Sequence, residues 1–127
     1  MADAVILNVF RRKLAKALNG DLTLPKITHM AFGDGGHDTS THEPIEPDPA
    51  QTALNHEVLR KAAAAHWIAD EYGASVRCTI EVNELVGVHL SEAAVVDENG
   101  DLVGVKNFAP KVKESDETYT ITLTVRV

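Results

Sequence analysis

Five residues within ten positions, Asp34, His37, Asp38, His42 and Glu43, have side chains that hold metals or move protons, and His29 stands just upstream. They belong to the stretch "AFGDGGHDTSTHE", which opens on Gly33, Asp34, Gly35 and Gly36. Carboxylate oxygens and imidazoles suit Zn, Mn or Ni. The spacing is not that of a calcium loop, which needs alternating acids, a Gly and a distal Glu. Nor is it a phosphate cradle. Such a loop must open onto a helix N-terminus, with a Lys-Ser/Thr in the nucleotide-binding form; here "TSTHEPIEPDP" follows, bringing acids and prolines. Two readings stay open: a small metal-binding protein using the 34–43 loop, or a solvated acidic loop.

Other chemistry has thinner support. Cys78 lies on the apolar side of an alternating run, where a thiol is ordinary packing. Ser40 and Ser91 stand in no nucleophile elbow. His56, His66 and His89 are scattered, and His66 beside Trp67 reads as a core pair. Glu81, Glu84 and Glu92 could meet across strands as paired carboxylates, but glutamates on strand surfaces are commoner. The expectation is a protein that is not an enzyme, with no catalytic residues, no metal and no cofactor.

Composition narrows the partners. The chain has 127 residues, 44% apolar and 24% charged, which suits one domain with a real core. Its net charge of −7 argues against nucleic acid, which needs a basic face. No apolar run approaches the roughly 20 residues of a membrane span, so no membrane partner is expected. One cysteine makes no internal disulfide. With no apolar leader evident, folding in a cytoplasm is expected. The charge is uneven: residues 1–26 hold five basic and two acidic residues, the remainder seven and seventeen.

The elements that must position these groups follow from periodicity. Over residues 3–18, Ile6, Phe10, Leu14 and Leu18 recur every fourth position, predicting an amphipathic helix with Asp3 as N-cap and Asn19-Gly20 as its stop. Its far face carries Arg11, Arg12 and Lys16, a solvated face or a docking face for an acidic partner. Residues 26–32 read as a strand, 34–50 as a mobile loop that orders against a partner, and 52–62 as a short helix. Residues 62–69 fit helix by propensity and strand by hairpin-like spacing. From residue 76 the period is two. Strands follow at 90–96 and 102–108 around an Asn99-Gly100 hairpin, and at 119–127, whose threonines suit a half-exposed sheet face or a second subunit. The fold class is α+β: a mainly-β antiparallel domain with an N-terminal amphipathic helix and a long acidic loop. Residues 1–20 form one unit, for docking or packing, and 21–127 the β domain.

The order of motifs carries a resemblance. "ITHMAFGDGG" is followed by "TALNHEVLRKA", then "VHLSEAAVVDENGDLVGVKNF", then "KESDETYTITLTVRV". Leu54, Glu57, Leu59 and Arg60 fit one segment of a pattern; Glu92, Val96, Asp97, Gly100, Leu102 and Val103 fit another. Over about residues 26–127 the chain resembles the phage tail-collar fibre family and related prophage tail proteins, with the cationic helix at residues 3–18 an addition to that pattern. The resemblance implies a structural component of a phage or prophage tail, a baseplate or tail-fibre attachment or adaptor subunit. It implies other phage tail or baseplate proteins as partners, a homo-oligomer with a trimer favoured, and a place in the virion tail after assembly in the bacterial host cytoplasm. It supplies no catalytic residues, and it turns the 62–69 segment towards strand.

Overall fold

The structure is a computed structural model and describes residues 2–127; Met1 lies outside them. The elements in chain order are β1 (Ala2–Asp3), β2 (Val5–Ile6), α1 (Asn8–Leu18), β3 (Ile27–Gly33), β4 (Glu57–Ala62), β5 (Ala65–Asp70), β6 (Gly73–Ile80), β7 (His89–Asp97), β8 (Leu102–Val112) and β9 (Tyr119–Arg126). They form two sheets, of order β1-β9-β6-β5 and β2-β8-β7-β3-β4. Every pairing is antiparallel except β1 with β9. This is the mainly-β α+β architecture that the alternating runs predict.

The sheets face each other across one apolar core. Val76, Cys78, Ile80, Leu123 and Val125 meet Met30, Phe32, Ala93, Val95 and Val103, and Phe10 of α1 closes one end. The larger sheet also buries its outer face, where Ala31, Ala94, Val96 and Val105 pack against Leu7 and Leu54. A strand covered on both sides has no polar face, so β7 is buried from Leu90 to Asp97.

The helix starts later than its spacing predicts. Residues 2–6 are extended: β1 joins the smaller sheet beside Leu123 and Thr124, and β2 joins the larger beside Gly104 and Val105. Pairing with two waiting sheet edges overrides the fourfold spacing of Ile6 and Phe10. Asp3 therefore caps nothing. It pairs with Arg126, and Leu7 holds the N-cap position without a side-chain bond. The helix stop is as expected: the Gly20 and Asp21 amides close back on the Ala17 and Lys16 carbonyls.

Two further segments differ from expectation. Residues 57–62, read as part of a helix, are β4, because the open edge of β3 offers Phe32 and Ala31 as partners for Leu59 and Arg60. Residues 65–70 are a strand paired with β6, as the resemblance implies. In the 97–102 hairpin only Gly100 takes positive φ, so the turn is a three-residue loop instead of a two-residue one. The threonine row is also less open than it reads. Thr124 is fully buried with its hydroxyl 2.8 Å from that of Ser75, and Thr120 lies 3.2 Å from Thr79.

Candidate functional site

The Gly-Asp-Gly-Gly stretch is the exit from β3, and it wraps a buried carboxylate. Glu92 lies in the fully covered stretch of β7 and has no exposed surface. Its Oε2 accepts the amides of Gly35 at 2.7 Å and His56 at 2.9 Å, and its Oε1 accepts the amide of Asn55 at 2.8 Å. Next to it, the Ser91 hydroxyl accepts the Gly36 amide at 2.8 Å and lies 2.7 Å from His37 Nδ1. The glycines are there for closeness. A Cβ on Gly33 would stand 2.3 Å from the His56 carbonyl oxygen, and one on Gly36 2.3 Å from that of Ser91. Three amides converging on an oxyanion make an anion nest, and here the anion is the chain's own side chain.

The five candidate ligands go separate ways. Asp34 pairs with His56 Nδ1. His37 turns to Ser91, and its ring centroid lies 6.4 Å from that of His42. Asp38 accepts the amides of Ser40 and Thr41, bonds that hold its carboxyl below the usual range. His29 faces the Thr28 hydroxyl. Among the described residues no three His, Cys, Asp or Glu come together in a way that could hold a metal ion.

The acidic loop, expected to be mobile, is fastened to its own domain. The Ile45 amide donates to the Gly36 carbonyl, Asn107 Nδ2 donates to the Ile45 carbonyl at 2.7 Å, and the Pro49 carbonyl accepts from Asn8 at the start of α1. The prolines prevent regular structure without preventing these bonds.

The remaining candidates are structural. Cys78 is buried in the core, and burial pushes its thiol pKa up. Glu81 and Glu84 lie in the loop between β6 and β7, where Glu84 bonds Lys61 at 2.6 Å, which draws its carboxyl down, while Glu92 is held within β7 by three amides, so the three glutamates form no acid–base set. Lys13 reaches Asp97 and Asp101 and fastens α1 to the β7–β8 hairpin. Its desolvation is outweighed by those bonds, and its pKa is raised. His66 is exposed, not a core residue. Sequence reasoning passed over the Glu92 nest. Its signal is a Ser-Glu pair inside an otherwise apolar strand, which must be satisfied locally.

What the surface offers is area for contact. Arg11, Arg12 and Lys16 are exposed on α1, and among the described residues they make no ion pair. Trp67, Ile68 and Tyr72 expose large apolar surface around the β5–β6 hairpin, beside a groove of about 740 Å³ that runs to Phe10 and Leu24. Arg77 stacks over the Trp67 ring at 5.5 Å. A second groove, of about 500 Å³, opens between β8 and β9.

Compared with known families, the chain matches the phage tail-collar fibre protein, N-terminal, over residues 1–127. The match takes in the first 20 residues, so the helix is part of the family pattern and not an addition to it. A comparison with curated proteins gives no match.

Proposed function

The chain belongs to the phage tail-collar fibre family, structural proteins of phage tails, and on that premise we propose that it is a baseplate or tail-fibre attachment subunit without catalytic activity. It works as a homotrimer in the virion tail, is assembled in the host cytoplasm, and contacts other tail proteins through its first 20 residues. The family match along the whole chain carries this reading. Two features of the fold support it. The groups best suited to chemistry serve the fold: Glu92 is bound by three amides, and Cys78 is buried. The exposed cations of α1 give a basic face to a protein of net charge −7, suited to an acidic partner surface.

The test uses tails assembled without their fibre protein. The full chain should sediment with them, less so as salt rises and surface attraction is screened. Light scattering should give about three times the 13.7 kDa chain mass. The triple variant Arg11→Glu, Arg12→Glu, Lys16→Glu should stay in the supernatant while keeping its fold. A wild-type chain that never sediments with tails refutes the attachment role.

A further inference from the structure

The sandwich is open along one side. Among the described residues β1 pairs with β9 at Leu123 and Thr124 alone, and β2 pairs with β8 at Gly104 and Val105 alone. Beyond those points, and among the described residues, 119–122 of β9 and 106–112 of β8 have a neighbouring strand on one side alone. Between these two free edges lies the groove of about 500 Å³. Leu90, Phe108, Ile121 and Leu123 give it an apolar floor, and Lys106 and Lys111 line it. Among the described residues neither lysine makes an ion pair.

The other face of β8 carries the opposite character. Asn107, between Lys106 and Phe108, points away from the groove and donates to the Ile45 carbonyl, while the Ile45 amide is bound to Gly36. Both polar groups of Ile45 are thus held, yet its side chain is 43% exposed. Glu43 and Glu46 flank it, both exposed and, among the described residues, neither in an ion pair. The result is a fixed apolar knob between two carboxylates.

We propose that the knob of one copy docks in the β8–β9 groove of the next, with Ile45 on the apolar floor and Glu43 and Glu46 against Lys106 and Lys111. The inference rests on the homo-oligomer reading and names its contact. Charge complementarity selects a second copy as the occupant, since each surface lacks the counter-charge that the other holds. Because the knob's backbone is already bound, docking costs little ordering. Knob and groove lie on opposite faces of one strand, so the contact is head-to-tail, and it makes a ring when the rotation from one copy to the next closes.

The experiment is light scattering of the full chain at micromolar concentration. The wild type should be oligomeric. The groove variant Lys106→Glu, Lys111→Glu and the knob variant Glu43→Lys, Glu46→Lys should each fall to the 13.7 kDa monomer. The variant that carries all four reversals in one chain should reassemble, because every knob then meets a groove of opposite charge again. Either two-site variant keeping the wild-type mass, or a folded four-site variant staying monomeric, overturns the proposal. If circular dichroism shows that the charge reversals unfold the chain, Ile45→Ser and Lys111→Thr, both at exposed side chains, decide in the same way: loss of assembly supports the contact and wild-type mass overturns it. A wild type that is monomeric throughout defeats the homo-oligomer reading itself; a wild type that assembles alongside equally assembled variants defeats only this contact.

Discussion

Removing the Glu92 carboxylate should destabilise the domain in two distinguishable steps. Oε2 accepts two amides and Oε1 one, and the side chain has no exposed surface. In Glu92→Gln the amide oxygen can take the Oε2 place and keep Gly35 and His56. The NH₂ then opposes the Asn55 amide, stranding one donor. A stranded buried donor costs about 1–3 kcal/mol, and relief from burying a charge returns part of it, so a net loss of about 1–2 kcal/mol is expected. In Glu92→Ala all three amides lose their acceptor. Water can reach some of them, because Gly35 and Asn55 stand nearer the surface than Glu92, which sets the loss at the low end, about 3–4 kcal/mol. A domain stability of about 5–15 kcal/mol can absorb the first change and is seriously eroded by the second. Urea unfolding with linear extrapolation reads both, and thermal midpoints should fall by about 3–5 °C per kcal/mol. Native-state amide exchange should speed up at Gly35, Asn55 and His56 before it does along β9. An alanine variant within about 0.5 kcal/mol of wild type, or a glutamine variant as costly as alanine, refutes the nest as the anchor of this loop.

Three other outcomes follow from the same geometry. Gly36→Ala would place a methyl 2.3 Å from the Ser91 carbonyl oxygen, so the urea midpoint should drop by the equivalent of at least about 2 kcal/mol, and an unchanged midpoint counts against the close approach. The Lys61 bond holds Glu84 below its ordinary 4.5, so its contribution is complete above that value and is lost as pH falls through the depressed pKa. Glu84→Gln should therefore flatten the acid limb of stability below about pH 4.5 and leave its shape near neutrality unchanged, as followed by melts across pH. Cys78 should react with a thiol reagent only at the rate of unfolding, and rapid stoichiometric labelling of native protein would show that its burial is wrong.

The sequence is most legible where one face of an element decides its burial. In β6 the alternation of Val76, Cys78 and Ile80 is visible because Arg77 and Thr79 face outward. The hairpin around Gly100 announces itself by composition. Legibility fails where tertiary pairing outweighs local preference. Leu54, Val58 and Leu59 have helical spacing, but β4 forms because β3 needs a neighbour. Residues 2–6 continue the periodicity of α1, yet both sheets claim them. The acidic loop misleads in another way. Its prolines and acids look like disorder, while the bonds that fix it come from Asn107, Asn8 and Gly36, partners that composition does not reveal. Glu92 reads as a surface glutamate until β7 is known to be covered on both faces.

The strand crossing at residues 2–6 also sets an order of events during synthesis. Asp3 and Arg126, which close that corner, are separated by 123 residues along the chain. The partners of β1 and β2 lie at Leu123, Thr124, Gly104 and Val105, all made long after the segment that needs them. At roughly 5–20 residues per second, the first residues wait on the order of 6–24 s on the ribosome before β9 exists to receive them. Until then the smaller sheet lacks its β1 edge, while the larger gains β2 once Gly104 and Val105 have been made. A chain interrupted before residue 123 cannot complete the smaller sheet by its own means, so the opening residues become a seal applied only once β9 has been made.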